Sequence, residues 1–361
     1  MTTRRRSLTI AINYDQLTQG LIQTQVKVSK PLENYTFGQD VLFGNPSIGT
    51  AQDYIDYSTQ LSSVALPDEA VKGLDPRRVN YGVEFNSKLI GSAYYFDEDV
   101  IDLAAAEKRL FDEPLNNPWT VERRQLELAS VKRDGIAQGF RVAKEKLVWE
   151  CALNGKFTTR SGGEQSFPMS SSMLSISGAN LIAKPFETIN TAAKTLFQKG
   201  VILKRIILNP ADGAALAASS AWQTMLDKKR VEVGSVMPET VMPNGVAKVG
   251  TIIGLICGPV DVYIYAGFYT TRSSEGVVTH TEYLPQGKAL LLPATAIGRM
   301  GYTGVLVNKN GVQGKEAVAE TYLTYAKERG ALVTSYVQGQ TAPAALLDGI
   351  DHYGVMTGIT A

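Results

Sequence analysis

The sequence predicts an α+β chain organised around one very long helix, and three observations carry that prediction. From Pro118 to Leu153 the apolar residues keep one stripe at helical spacing. From Phe186 helical and strand patterns alternate, and after Pro293 strands and turns dominate. Residues 1–92, by contrast, contain no apolar run long enough to build a core of their own.

Residues 1–50 read as an arm. Polar residues interrupt the apolar ones, and "FGNPSIGT" closes the stretch with turn chemistry. A mostly polar arm needs a surface to lie on, which a neighbouring subunit would supply. Residues 51–92 carry the alternating runs "STQLSSVAL" and "RRVNYGVEF" around the polar turn "PDEAVKGLDP", the pattern of a long hairpin. A two-stranded ribbon is marginal in water unless something covers it.

"DEDVIDLAAAEKRLF" then reads as a helix, with acids at its start and Lys108-Arg109 at its end to match the dipole. Asp97, Glu98 and Asp99 fit a helix N-terminus better than a metal site. "NNPWTVERRQLELASVKRDGIAQGFRVAKEKLVWECALNGKF" is the strongest local signal. Asn117 can cap it, Pro118 suits the first helical position, and Asn154-Gly155 stops it. Ala129, Ile136, Phe140, Ala143, Leu147 and Cys151 form the stripe. Unbroken, the helix runs about 50 Å at ~1.5 Å per residue. Gly135 and Gly139 are where it would bend.

"TTRSGGEQSFPMSSS" is a loop by composition. Beyond it come a helix "FETINTAAKTLFQKG", a strand "LKRIILN", a helix "PADGAALAASSAWQTMLDKK" and two strands around Gly258-Pro259. In the β-rich return, Asn310-Gly311 favours a tight hairpin. There is no internal repeat.

With 361 residues, 44% hydrophobic and 20% charged, the chain can bury two or three compact units. Its 36 Lys+Arg balance 35 Asp+Glu, and a net charge of +1 argues against a dedicated nucleic-acid coat. That balance suits close packing against copies of itself. Cys151 and Cys257, the only cysteines, give no disulfide framework and no zinc spacing, so a reducing compartment is expected. No run reaches the roughly 18 apolar residues that span a bilayer. "MTTRRRSLTIAI" lacks a full signal core, so a soluble, intracellularly made protein is expected and the sequon at Asn34 means little.

Chemistry is hard to place. In "EYLPQGKALLLP", Gly287-Lys288 has the look of a phosphate loop, but the upstream glycine is missing and Ala289 stands where a magnesium-binding hydroxyl belongs. No G-x-G-x-x-G links a strand to a helix. His280 and His352 are the only histidines, and either beside Cys151 or a serine would make a nucleophile dyad. Cys151, however, lies on the apolar stripe, where cysteine acts as a small hydrophobe. No catalytic residue, cofactor or metal is expected.

The basic clusters Arg4-Arg5-Arg6 and Arg77-Arg78 sit on the arm and the ribbon, which cannot fold alone. Charge runs are usually solvated faces, but the guanidinium fork also suits ion pairs between subunits. Together with Glu84 and Lys88 they are the candidate inter-subunit contacts.

Four stretches, taken in order, carry a family resemblance. "ECALNGKF" resembles a spine-helix ending, and "RIILNPADGAALAAS" a strand, Asn-Pro turn and helix. "VYIYAGFYTT" followed by "EYLPQGKALLLP" resembles a Tyr-rich strand and a Leu-Pro hairpin, and "TAPAALLDGIDHYGVM" a closing segment. Their order resembles that of tailed-bacteriophage major capsid proteins, the lambda-type major capsid protein family in particular. "LPQGK" would then be architecture, with Ala289–Leu292 a buried strand.

The resemblance implies the Hong Kong 97-like fold: arm 1–50, extended loop 51–92, axial domain 186–294, and a peripheral domain of 93–185 plus 295–361 crossed by the spine helix 118–153. It also implies hexamers and pentamers closed into an icosahedral shell around phage double-stranded DNA. Scaffold, portal and trimeric decoration proteins would be partners, DNA contact would be non-specific, and no membrane is involved. The chain would assemble in the host cytoplasm and end in the virion. An encapsulin-like nanocompartment and, from another class, an α/β metabolic enzyme are the rival readings.

Overall fold

The computed structural model describes residues 35–62, 83–101, 119–159, 163–228, 231–232, 245–272, 277–309, 312–317, 322–328, 334–349 and 351–359. These fall into two compact units. The first draws its described residues from 95–140 and 320–341, the second from 31–94, 141–319 and 342–361.

In the first unit three antiparallel strands lie in the order Tyr322–Glu328, Thr334–Thr341, Tyr95–Ile101. The expected helix at Asp97–Asp99 is therefore a strand. Tyr95, Phe96, Val100 and Ile101 favour the pleated sheet, and seven residue pairs with the neighbouring strand override the helical pattern of the acids. Asp99 takes a 2.7 Å ion pair from Lys132, and Glu98 accepts a 2.9 Å bond from Gln338. The remainder of that expected helix, 102–111, lies outside the described residues. Ala129, Ile136 and Phe140 of the long helix close this unit's core against Ile101 and Val337.

That helix, α1, runs unbroken for 34 residues, Val121–Asn154, about 50 Å at ~1.5 Å per residue. The expected cap, Asn117-Pro118, lies outside the described residues, and the helix starts at Val121. Thr120 accepts the Arg123 N–H at 3.3 Å, so the hydroxyl nearest the first helical turn takes the capping role. It ends as expected at Gly155, whose φ of 63° suits glycine. Leu147 and Cys151 are buried, while Ala143 is half-exposed; past that point Lys144, Glu145, Val148, Trp149 and Ala152 join the buried face.

The second unit is built on a seven-stranded sheet. Its order is Ile176–Ser177, Gly354–Thr357, Lys288–Leu292, Arg205–Leu208, Val260–Tyr265, Val246–Ile252, Val231–Glu232. Three helices, Pro185–Gln198, Pro210–Ala218 and Ser220–Asp227, bury Ile189, Ala193, Leu196, Leu216 and Trp222 in the same core as Ile206, Val262 and Leu291 of that sheet. The last two were expected as one helix. Ser219 separates them with extended dihedrals (φ −69°, ψ 142°), and its hydroxyl caps the second by accepting the Trp222 N–H. Within the segment 295–361, Gly354–Thr357 pairs with Lys288–Leu292 and so belongs to this sheet.

A smaller sheet sets Asn45–Gly49 parallel to Gly298–Tyr302, which pairs antiparallel with Pro343–Leu347. Four two-stranded hairpins complete the unit. One of them, Lys156–Thr159 with Gly163–Ser166, occupies the stretch read as loop. Composition concealed it because its strands are only four residues each and rich in Thr, Gly and Ser. The strands Gly304–Lys309 and Val312–Ala317 flank Asn310-Gly311 as expected.

Candidate functional site

Two stretches of the second unit stand out: residues 35–49, expected to close the arm, and the long hairpin. Each is fastened at its root.

The hairpin strands Tyr54–Ser62 and Val83–Gly91 pair antiparallel through nine residue pairs, about 30 Å of ribbon at ~3.3 Å per residue. They hydrogen-bond to no other strand of the described sheets. Ile55 and Ile90 bury the root. Tyr57 donates its hydroxyl to the Leu347 carbonyl and sets its ring edge-on to Phe167 at 5.2 Å. Burial and the nearby Asp348 carboxylate push that phenol's pKa far up, so it remains a donor. Gly91 N–H donates to Gln165 Oε1 at 3.2 Å. Past the root, Asp56, Ser58, Ser87 and Lys88 are exposed, and Leu89 is 63% exposed.

Residues 35–43 make a tighter joint. Gly38–Leu42 forms one π-helical turn, closed by the Phe43 N–H on Gly38 O at 2.9 Å. Beside it lies the carboxylate of Glu145, which is fully buried on α1. Its Oε1 accepts from Gly38 N (2.6 Å), Trp149 Nε1 (2.8 Å) and Tyr265 Oη (3.2 Å), and its Oε2 from Gln39 N and Gln39 Nε2 (3.1 Å each). Burial raises the carboxyl's pKa, and the bonds from Gly38, Trp149 and Gln39 work against that rise. A Cβ on Gly38 would stand 2.7 Å from Glu145 Oε1 and 2.9 Å from Val148 Cγ1, so only glycine fits. Aromatic rings enclose the joint: Trp149 stacks on Tyr265 at 4.7 Å, Phe37 lies 5.5 Å from Tyr265, and Tyr35 lies 5.5 Å from Phe268. Downstream, Asn45 and Arg299 both donate to the Asp348 carboxylate.

The sequence-predicted contact residues fare unevenly. Arg4, Arg5, Arg6, Arg77 and Arg78 lie outside the described residues. Glu84 is placed by its backbone opposite Leu61 in the hairpin. Lys88 donates to Ser166 O (2.8 Å) and Ser166 Oγ (3.2 Å) within its own chain. Glu145 was missed. It stands in "KEK", which reads as a solvated face, and its partners at Gly38 and Tyr265 lie 107 and 120 positions away. Trp149, one turn on, was the only nearby hint.

No dyad forms. The Cys151 thiol is buried against the Ala345 carbonyl, and burial pushes its pKa well up. His280 Nδ1 lies 3.0 Å from Thr270 Oγ1 on the next strand. The Gly287 turn is already held by an anion: its N–H donates to Asp212 Oδ2 at 2.7 Å, which would repel a phosphate. Lys288–Leu292 is the buried strand expected. Among the described residues no three His, Cys, Asp or Glu side chains are grouped to hold a metal, and no helix is long and apolar enough to cross a membrane.

No family model matches the chain, and no curated protein matches it. Solved structures do. The crystal structure of a protein assigned as the capsid protein of a prophage of E. coli CFT073 aligns with 96% of this chain and 99% of its own. The identity is 15% and the TM-score 0.65. The capsid structure of cyanophage P-SCSP1u aligns over 88% and 86% of the two chains at 9% identity and a TM-score of 0.48. For the capsid of cyanophage A-1(L) the values are 93%, 96%, 9% and 0.47. The match to the prophage protein spans both units from end to end, and on it the chain has the Hong Kong 97-like fold of tailed-phage major capsid proteins.

Proposed function

We propose that this chain is the major capsid protein of a tailed phage, assembling as hexamers and pentamers into an icosahedral shell that encloses double-stranded DNA. The observation that carries the reading is the likeness to the prophage capsid protein over 96% of this chain and 99% of that one. The hairpin supports it. A nine-pair ribbon joined to no larger sheet buries little of itself, so its stability calls for a covering surface, and neighbouring copies supply one. The seven-stranded sheet with its helices serves as the axial domain, with Gly354–Thr357 included, and the three-stranded sheet with the first part of α1 serves as the peripheral domain.

Near-neutral charge limits repulsion between many copies and leaves DNA contact weak and sequence-blind. Scaffold, portal and decoration proteins would be its partners, and the mature particle its final location. The experiment is to express the full chain with its genomic neighbours, isolate any particles and identify their contents. Nuclease-protected double-stranded DNA is the expected content. Particles filled with one enzyme and no DNA would overturn the reading in favour of a nanocompartment.

A further inference from the structure

Resting on the shell reading, we propose that Glu145 is a positioning residue for assembly: its five-donor clamp fixes the seat of the Gly38–Leu42 turn on α1, and with it the geometry in which copies of the chain meet. A fully buried carboxylate on a packed helix costs desolvation that an apolar residue of the same size would not. Packing alone would be served as well by leucine or methionine. What the carboxylate adds is a defined seat, because both oxygens are occupied and three of the five donors belong to Gly38 and Gln39.

The seat admits one arrangement. Gly38 has no room for a side-chain atom, Gln39 also donates to the Arg141 carbonyl at 3.0 Å, and the π turn carries the chain on to Phe43. From there to Gly49 the chain is tied by strand pairing with Gly298–Tyr302 and by the Asn45 side chain, which donates to Asp348. A joint of this kind bears on how copies meet while leaving the sheet untouched.

Two variants test it. Glu145→Gln keeps one acceptor oxygen and turns an NH2 group toward the Gln39 donors. Gln39→Ala removes two bonds from a half-exposed side chain and opens no buried cavity, so it stays informative should the first variant fold poorly. Amide exchange at Gly38 and Gln39 and the diameters of assembled particles are measured for both and for the wild type. The account expects exchange at these two amides to rise at least tenfold, protection of Ile206 and Leu290 in the seven-stranded sheet to hold, and the single wild-type diameter to broaden into mixed and open forms. Faster exchange with an unchanged, uniform diameter would overturn the positioning role, and unchanged exchange would overturn the clamp. Wild-type chains that never assemble would overturn the shell reading, and this inference with it.

Discussion

Two buried carboxylates, Glu145 and Asp212, stand where backbone amides need acceptors that secondary structure does not offer. Asp212, in the first turn of helix Pro210–Ala218, accepts the N–H of Gly287, whose φ of 81° places it in the left-handed region of a tight turn. Asn209 reinforces the same corner: its Oδ1 caps the helix through Ala211 N–H (2.9 Å), and its Nδ2 reaches Leu284 O (2.7 Å) and Glu282 Oε2 (2.6 Å). Removing the acceptor strands a partly buried donor, so Asp212→Ala should cost about 1–3 kcal/mol. A lowered urea midpoint at unchanged slope would register it. Legibility at this scale followed sequence distance. The Asn209-Pro210 turn and the Gly155 stop were readable because partner and residue are neighbours, and Glu145 was not because Gly38, Gln39 and Tyr265 reach it only through the tertiary fold.

At the scale of elements, length decided what could be read. α1 was predicted nearly whole because its periodicity repeats over many turns, and only its first residues shifted, from Pro118 to Val121. Short strands were lost. Tyr95–Ile101 was hidden by its acids, which satisfy helix-terminus preferences until pairing with Thr334–Thr341 decides otherwise. Gly354–Thr357 was assigned with the rest of 295–361 because nothing local says that its partner is Lys288–Leu292. The long hairpin was legible, and its root and ribbon make separable predictions. Replacing residues 59–86 with a short turn keeps Ile55, Tyr57 and Ile90 in place. That variant should retain the helical signal in circular dichroism and fail to form closed shells. Normal shells from it would remove the ribbon from the account.

For the whole molecule, the fold class was legible in the sequence, whereas the contacts between copies were not, since a single chain carries no record of its neighbours. The Arg77 and Arg78 proposal belongs at this scale: Arg77→Glu with Arg78→Glu should lower shell yield several-fold without changing subunit melting, and equal yield would show these charges to be idle. The measurement that bears most directly on the central claim is light scattering with negative-stain imaging of the full-length chain, alone and with a scaffold supplied. The account predicts closed shells, or rings and tubes built from hexamers. A monomer or dimer that stays discrete under both conditions would contradict it.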